Sequence, residues 1–464
     1  MGNGGRQMEI PIPHSQFPPP QHPTTHKSMT SSTSTQDRPT GVRHRVLWLT
    51  VIVYMITYMD RVCISHAAKD IRAEYGFDAV TMGWIFSGFN LSYALFQIPG
   101  GWLGDRFGPR RVLAVIVLWW SAFTAATSLA LGSWSMYTVR FLFGMGESGA
   151  FPTATRALSF WLPAGERGFA QGITHSGARL GAALTPPIAV ALIASFGWRS
   201  VFYIFGFIGA LWAVIWLWYY RNRPEQHVSV NAAEIALIQE DGKTKPSSGR
   251  AQVPWGQILR SGNLRLICAM YFCYNYSLWI YLSWFPTYLQ DARGFNFKQM
   301  GFWHMVPLIA ATIGDTVGGW LSDHLVRRGR NLRFARRVVA ITGFVLAAAC
   351  ILPATLTEDR YLCVAFTTGA LFFLELTVGV SWAVAMDVGP EYAGSVSGVM
   401  NMCGNFGGML ASVAIGYMVQ FVNWEAPFLV ASGLCLLGAL LYLRIDPSER
   451  IFGKPAVSSE QVTA

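Results

Sequence analysis

Apolar runs long enough to cross a bilayer recur along almost the whole chain, from Val46 to Leu443. About 20 helical residues span a hydrocarbon core of ~30 Å, where the backbone must satisfy its own hydrogen bonds. A run repeated this often points to a bundle of membrane helices. Twelve spans are counted, at about 46–67, 80–103, 112–131, 134–159, 167–194, 199–220, 264–290, 298–325, 335–354, 361–385, 392–421 and 424–443. Of the 464 residues, 52% are hydrophobic and 13% charged, against about 25% charged in an average soluble domain. A soluble enzyme is thereby excluded.

The polar remainder organises the chain. Residues 1–43 form a tail rich in Pro, Ser and Thr, a composition that favours disorder. It lacks the apolar core of a signal peptide. Residues 221–262 form the longest polar connector, dividing the spans into bundles at 44–220 and 263–443, and 444–464 form a short second tail. With the amino terminus inside, the inner loops and carboxyl tail carry 20 Lys and Arg: seven from Arg221 to Arg265, six from Arg327 to Arg337, and Arg106, Arg110, Arg111, Arg167, Arg444, Arg450 and Lys454. The outer loops carry six. That asymmetry predicts both termini in the cytoplasm. It also accounts for a net charge of +10 without nucleic acid, since no basic stripe alternates with exposed aromatics. All seven cysteines lie in apolar segments without a CxxC pair, so neither a disulfide framework nor a metal site is expected.

The two halves echo each other. Gly100-Gly101-Trp102-Leu103-Gly104-Asp105 ends span 2, and Gly318-Gly319-Trp320-Leu321-Ser322-Asp323 ends span 8. Gly168 and Gly172 align with Gly394 and Gly398, which sets His175 over Asn401 and Arg179 over Asn405. Duplicated halves about a central cavity are a transporter's architecture.

The string Gly101 to Arg111, with Asp105, Arg106, Gly108 and Arg110, resembles the span 2–3 loop motif of the major facilitator superfamily. Asp60-Arg61, the stretch from Arg140 through Glu147 and Pro152 to Arg167, Trp284 to Tyr288, and Trp382 through Asp387 to Asn401 resemble its anion:cation symporter branch. The resemblance implies twelve helices in two pseudo-symmetric six-helix halves, lying in a bacterial inner membrane. It also implies proton symport of sugar acids such as galactonate, glucarate and hexuronates; animal relatives carry sialic acid, glutamate and phosphate. A monomer in the bilayer, with no cofactor beyond the proton gradient, is expected.

Charged groups inside spans are costly and are read as functional by default. Arg61 shares a stripe with Tyr54 and Tyr58, and Arg140 and Glu147 lie seven apart on one face of span 4. Two planar guanidiniums suit a carboxylate. Asp60 and Glu147 suit proton coupling, because burial favours the protonated carboxyl and a neighbouring arginine the ionised one. The resemblance assigns the same roles: Asp60 and Glu147 as proton sites, Arg61 and Arg140 on the substrate carboxylate, Tyr93 and Asn401 on its hydroxyls. Tyr58 and Trp382 complete the expected substrate set. The alternative is a pair of closed structural ion pairs, Asp60–Arg61 and Arg140–Glu147.

His175, Arg179 and Glu375 are further candidates, and Glu375 has no counterpart in the family pattern. Asp315 is expected to join Asp323 and the loop motif in an inner gate. Some aromatics of span 7 are candidates to line the cavity and most read as packing or interfacial residues, and the pairs Gly168/Gly172, Gly177/Gly181 and Gly394/Gly398 read as close helix contacts. Gly144-Met145-Gly146-Glu147-Ser148-Gly149 matches GxGxxG but lies inside an apolar run, where a dinucleotide fingerprint has no strand to follow. Two other readings stand beside a sugar-acid symporter. One is an exchanger of phosphorylated solutes or tartrate-like carboxylates, and the other a ligand sensor that does not transport.

Overall fold

The computed structural model describes residues 1–2, 38–239, 254–389 and 392–451, without the side chains of residues 105, 164, 165, 167–169 and 393. Most of the amino-terminal tail, the middle of the connector, most of the carboxyl tail and the Asp105 side chain therefore lie outside the described residues.

The first six spans are α1 (Val42–Tyr75), α2 (Ala79–Phe107), α3 (Pro109–Ala126), the pair α4 (Ser133–Glu147) and α5 (Ala150–Trp161), α6 (Ala164–Phe196) and α7 (Trp198–Tyr219). The connector holds two short helices, α8 (Ala232–Gln239) and α9 (Trp255–Arg260). The last six spans are α10 (Gly262–Trp279) continuing through a π turn into α11 (Phe285–Asp291), then α12 (Phe297–Arg327), α13 (Leu332–Leu356), α14 (Arg360–Val388), α15 (Ala393–Phe421) and α16 (Glu425–Arg444). No strand occurs among the described residues. Eight described helices are long and apolar enough to cross a membrane by length and composition. Spans 4 and 7 are each interrupted, by two residues between α4 and α5 and by the π turn that follows α10. Lipid-facing positions are apolar and exposed, among them Val115, Phe207, Leu211, Trp218 and Leu440.

Several helices outrun their expected spans, α1 by most, because polar residues at both of its ends extend the helix past the apolar core. Gly76, at φ 69°, stops it, with its N–H bonded to the Arg72 carbonyl. At its other end Gly41 offers no side-chain cap. Glu234 of α8 supplies one instead, accepting from the backbone N–H groups of Val42 (3.2 Å) and Arg43 (3.0 Å) and from the Thr40 hydroxyl. Arg43 also bridges Glu234 to Glu166 near the start of α6. The polar connector is thus partly a structured clamp.

The halves meet on the side away from the termini, here called the distal side. A methyl group added at Gly83 of α2 would lie 2.6 Å from the Ser412 carbonyl oxygen of α15, and one at Gly416 2.6 Å from the Ala79 carbonyl oxygen. His66 Nε2 lies 3.0 Å from His304 Nδ1, Lys69 pairs with Asp291 at 3.0 Å, and Gln420 bonds both the Val80 N–H and Asp78. Gly177 and Gly181 pack hard against Val51 and Met55 of α1, as expected of close helix contacts. Gly172, Gly394 and Gly398 do not: among the described residues, a methyl group added at each would meet nothing within 4 Å.

Candidate functional site

Span 4 is interrupted between its two halves. α4 ends at Glu147, and α5 begins after Gly149. Small residues permit close approaches on every side of this break. A methyl group at Gly144 would sit 2.4 Å from Ser92 Oγ, one at Gly146 2.2 Å from the Trp119 ring, and one at Gly100 of α2 2.6 Å from the Gly149 Cα. Pressing α4 against α2 and α3 brings Glu147 within reach of α1.

There the closed pairs of the alternative reading do not form. Arg61 does not close on Asp60, nor Arg140 on Glu147; instead Arg61 donates from Nε (3.0 Å) and Nη2 to Glu147 Oε1. Neighbours on a helix project about 100° apart, so Asp60 turns away toward α3, where its Oδ2 accepts from Trp120 Nε1 at 3.1 Å. The Arg61 guanidinium rests over the rings of Tyr58 (4.5 Å), Phe89 (4.9 Å) and Tyr93 (5.0 Å). Arg140 is buried, lies 4.4 Å from the centre of the Phe143 ring, and leaves Nε and Nη1 without a hydrogen-bond partner. Glu147 Oε2 and Asp60 Oδ1 are likewise buried and unpartnered, as are both polar atoms of the Asn90 amide. A cluster with two guanidiniums and spare donors in a dry interior can hold an anion strongly.

A wall of rings leads from this cluster across to the second half. Phe151 lies 6.3 Å from Tyr58 and stacks with His175 at 6.0 Å; His175 lies 6.5 Å from Trp382, whose Nε1 donates to the Tyr271 hydroxyl at 3.0 Å. Tyr271 stacks on Tyr274, and the Tyr274 hydroxyl donates to Glu375 Oε1 at 2.7 Å. Arg179 of α6 reaches across the halves to the same carboxylate, with Nη2 2.8 Å from Oε2, and lies 3.8 Å from Asp315. One reading is corrected here: Asp315 belongs to this mid-depth cluster rather than to the gate. Asn401 is half-buried on α15, and its carbonyl accepts from the Asn405 amide.

The loop-motif residues sit at the termini side. Gly108 takes φ 84° between α2 and α3, where a side chain would be strained and Asn222 crowds in at 3.0 Å. Arg110 donates to the Leu217 carbonyl, Arg106 lies 5.1 Å from the centre of the Trp102 ring, a methyl group added at Gly101 would lie 3.5 Å from Pro152, and Arg111 is exposed. In the second half Arg336 joins Asp323 (2.7 Å) to Asp387 (3.1 Å). Sequence reasoning did not single out Trp120 or Phe89, because the sequence does not show which helix face their rings present.

The sequence model described as Major Facilitator Superfamily matches residues 50–412, with a second match over 331–462. The chain is 41% identical over 406 residues to a probable sulfoacetate transporter of Cupriavidus necator, covering 87% of this chain and 94% of that one. It is 33% identical to a probable galactarate/D-glucarate transporter of Bacillus subtilis, with 91% and 96% covered. A D-galactonate transporter of Escherichia coli is 31% identical, with 88% and 96% covered. Among solved structures, a bacterial homologue of the human lysosomal transporter Spinster, inward-facing and unoccupied, superposes with a TM-score of 0.73 at 18% identity, covering 87% of this chain and 97% of that one.

Proposed function

Since the chain belongs to the major facilitator superfamily of membrane transporters, and within it to the anion:cation symporter family, we propose that it imports a small organic carboxylate together with protons, termini in the cytoplasm of a bacterial inner membrane. The substrate class is a sugar acid or a similarly small carboxylate such as a sulfonated one. The observation that carries this reading is the Arg61–Glu147 ion pair beside a buried Arg140 with free donors.

The chemistry follows from competition. An incoming carboxylate is drawn to Arg140, whose donors are unspent, and to Arg61, whose donors Glu147 occupies. Once the substrate takes Arg61, Glu147 is a buried carboxylate without its counter-charge. That state is costly, by about 3–5 kcal/mol where one partner of a buried pair is lost, and a proton relieves it. Substrate binding and proton binding thereby favour each other, and linkage requires the reverse as well. Tyr58, Tyr93, Asn401 and Trp382 supply hydroxyl, amide and indole groups for the remainder of the substrate. Asp60, held by Trp120 on the α3 side, is the second proton site, acting beside the cavity.

Two of the named relatives are described for substrates with two acidic groups, sulfoacetate and galactarate or glucarate, and one for galactonate, with a single carboxylate. All share the carboxylate that Arg61 and Arg140 would hold. The test is purified protein in liposomes with a pH-sensitive dye inside and sulfoacetate, galactonate, glucarate, glucuronate or glycerol phosphate added outside. Proton entry with a carboxylate is expected. Glu147→Gln should keep exchange of labelled substrate and lose uphill accumulation; normal accumulation by that variant would refute the coupling role.

A further inference from the structure

The cluster around Glu375 repeats the logic of the Arg61–Glu147 pair in the other half of the site. One arginine of the first half is held by a glutamate in each case: Arg61 by Glu147, Arg179 by Glu375. Glu147 and Glu375 are both completely buried, and both arginines keep some exposure, 8% and 15% of their side chains. Tyr58 connects the two couples. The Tyr58 ring lies under Arg61 at 4.5 Å, and its hydroxyl is also an electrostatic neighbour of Arg179. His175, one turn before Arg179, is exposed.

We propose that Arg179 is a second anion-binding pole, so that the site takes dianions with one acidic group on Arg61 and Arg140 and the other on Arg179, and that Glu375 takes up one further proton when the second group binds. This rests on the function proposed above and extends it to charge count.

The argument is electrostatic. The charged and titratable groups facing Glu375 from the helices around it enter the balance: Arg179 from α6, Tyr271 and Tyr274 from α10, and Asp315 from α12. One guanidinium serves two carboxyl groups, so with both ionised the cluster carries one net negative charge. A second anionic group on Arg179 would raise that to two in a dry interior unless a carboxyl accepts a proton from the aqueous phase. Glu375 is the candidate, because it is completely buried while Asp315 keeps 22% of its side chain exposed, and because Tyr274 can turn its hydroxyl to accept from the new carboxyl O–H. A structural brace would explain the bridge between the halves. It would not explain why the bridging cation stays reachable while its principal partner is sealed.

Matched substrates separate these roles. Glucarate and gluconate differ by one carboxylate, as do sulfoacetate and acetate by one sulfonate. In liposomes, the proton-to-substrate ratio is read from the pH gradient that just halts net uptake. The wild-type protein should carry one more proton with the dianion of a transported pair than with its monoanion. Arg179→Gln should lower kcat/KM for the dianion by roughly 10- to 100-fold more than for the monoanion, the value of one charge-assisted contact. Glu375→Gln, nearly the same shape, should bring the dianion's proton count down to that of the monoanion. Equal proton counts in the wild type, or equal losses for both members of a pair in Arg179→Gln, would overturn the second pole while leaving the Glu147 coupling intact. If none of the four anions moves with protons, the function proposed above falls, and this inference with it.

Discussion

Closure of the distal side depends on glycine where α2 crosses α15, and replacing Gly83 by alanine tests how much. The new methyl group would lie 2.6 Å from the Ser412 carbonyl oxygen, 3.3 Å from the Val413 Cα and 3.4 Å from the Ser412 carbonyl carbon. All three are backbone atoms, so no rotamer change relieves the clash. Reaching an ordinary 3.4 Å contact from 2.6 Å requires the helices to part by about 0.8 Å at that point. Overpacking of this kind costs about 1–3 kcal/mol. The strain exists only while the distal side is closed, so that state loses roughly 5- to 150-fold in population against any state in which the halves separate there. Spin labels at Leu131 and Leu356, exposed turns on the distal side of opposite halves, would report the separation by pulsed electron resonance. Cys268, Cys350 and Cys403, the incompletely buried cysteines, are first changed to alanine. The Gly83→Ala distance distribution should gain a longer component. Gly433→Ala, where the added methyl group meets nothing within 4 Å, should not. If Gly83→Ala gives the wild-type distribution in a protein of unchanged thermal stability, the packing argument is wrong.

Two further outcomes are expected. Burial pushes the Glu234 carboxyl up, but hydrogen bonds from Thr40, Arg43 and Val42 and the Arg43 charge outweigh it, so it titrates below the ordinary glutamate value of 4.5. A depressed carboxyl contributes stability that is present above pH 4.5 and is lost as pH falls through its lowered value; Glu234→Gln should cost about 1–3 kcal/mol near neutrality and flatten that acid limb in thermal melts. Asp291→Asn removes the exposed pairs with Lys69 and Arg72, which are worth about 0–1 kcal/mol. It should therefore shift the Leu131–Leu356 distances less than Gly83→Ala does, and the shift should vanish in high salt.

The helical spans were legible because hydrocarbon-length apolar runs leave a bundle little choice. The family strings were legible because they sit at the span ends and breaks that the fold reuses. Pairing across helices was not. Arg61 and Glu147 are 86 residues apart, and one-dimensional spacing ties Arg61 to Asp60 and Glu147 to Arg140 instead. Asp315 was assigned to Asp323 by depth. Eight residues of helix rotate about 80° past two full turns, enough to aim the two carboxylates at different neighbours, Arg179 and Arg336. Glu375 was opaque because its partner lies in the other half, 196 residues away. The break in span 4 depends on Gly100 and Trp119 closing around Gly146 and Gly149, contacts that no single segment encodes.

The vacancy beside Gly172, Gly394 and Gly398 has an engineering consequence. A side chain added there meets nothing in the present arrangement, so it costs this state little beyond the usual helix preference, which favours alanine over glycine. In a cycle where the halves close on the termini side, these same turns come together, and a bulky residue blocks them. Valine or leucine at Gly172 or Gly398 therefore offers a one-residue ratchet that holds the carrier in its present posture. Gly83→Ala biases it the opposite way. Together they would give a matched set of frozen forms for raising antibodies that tell one posture from the other.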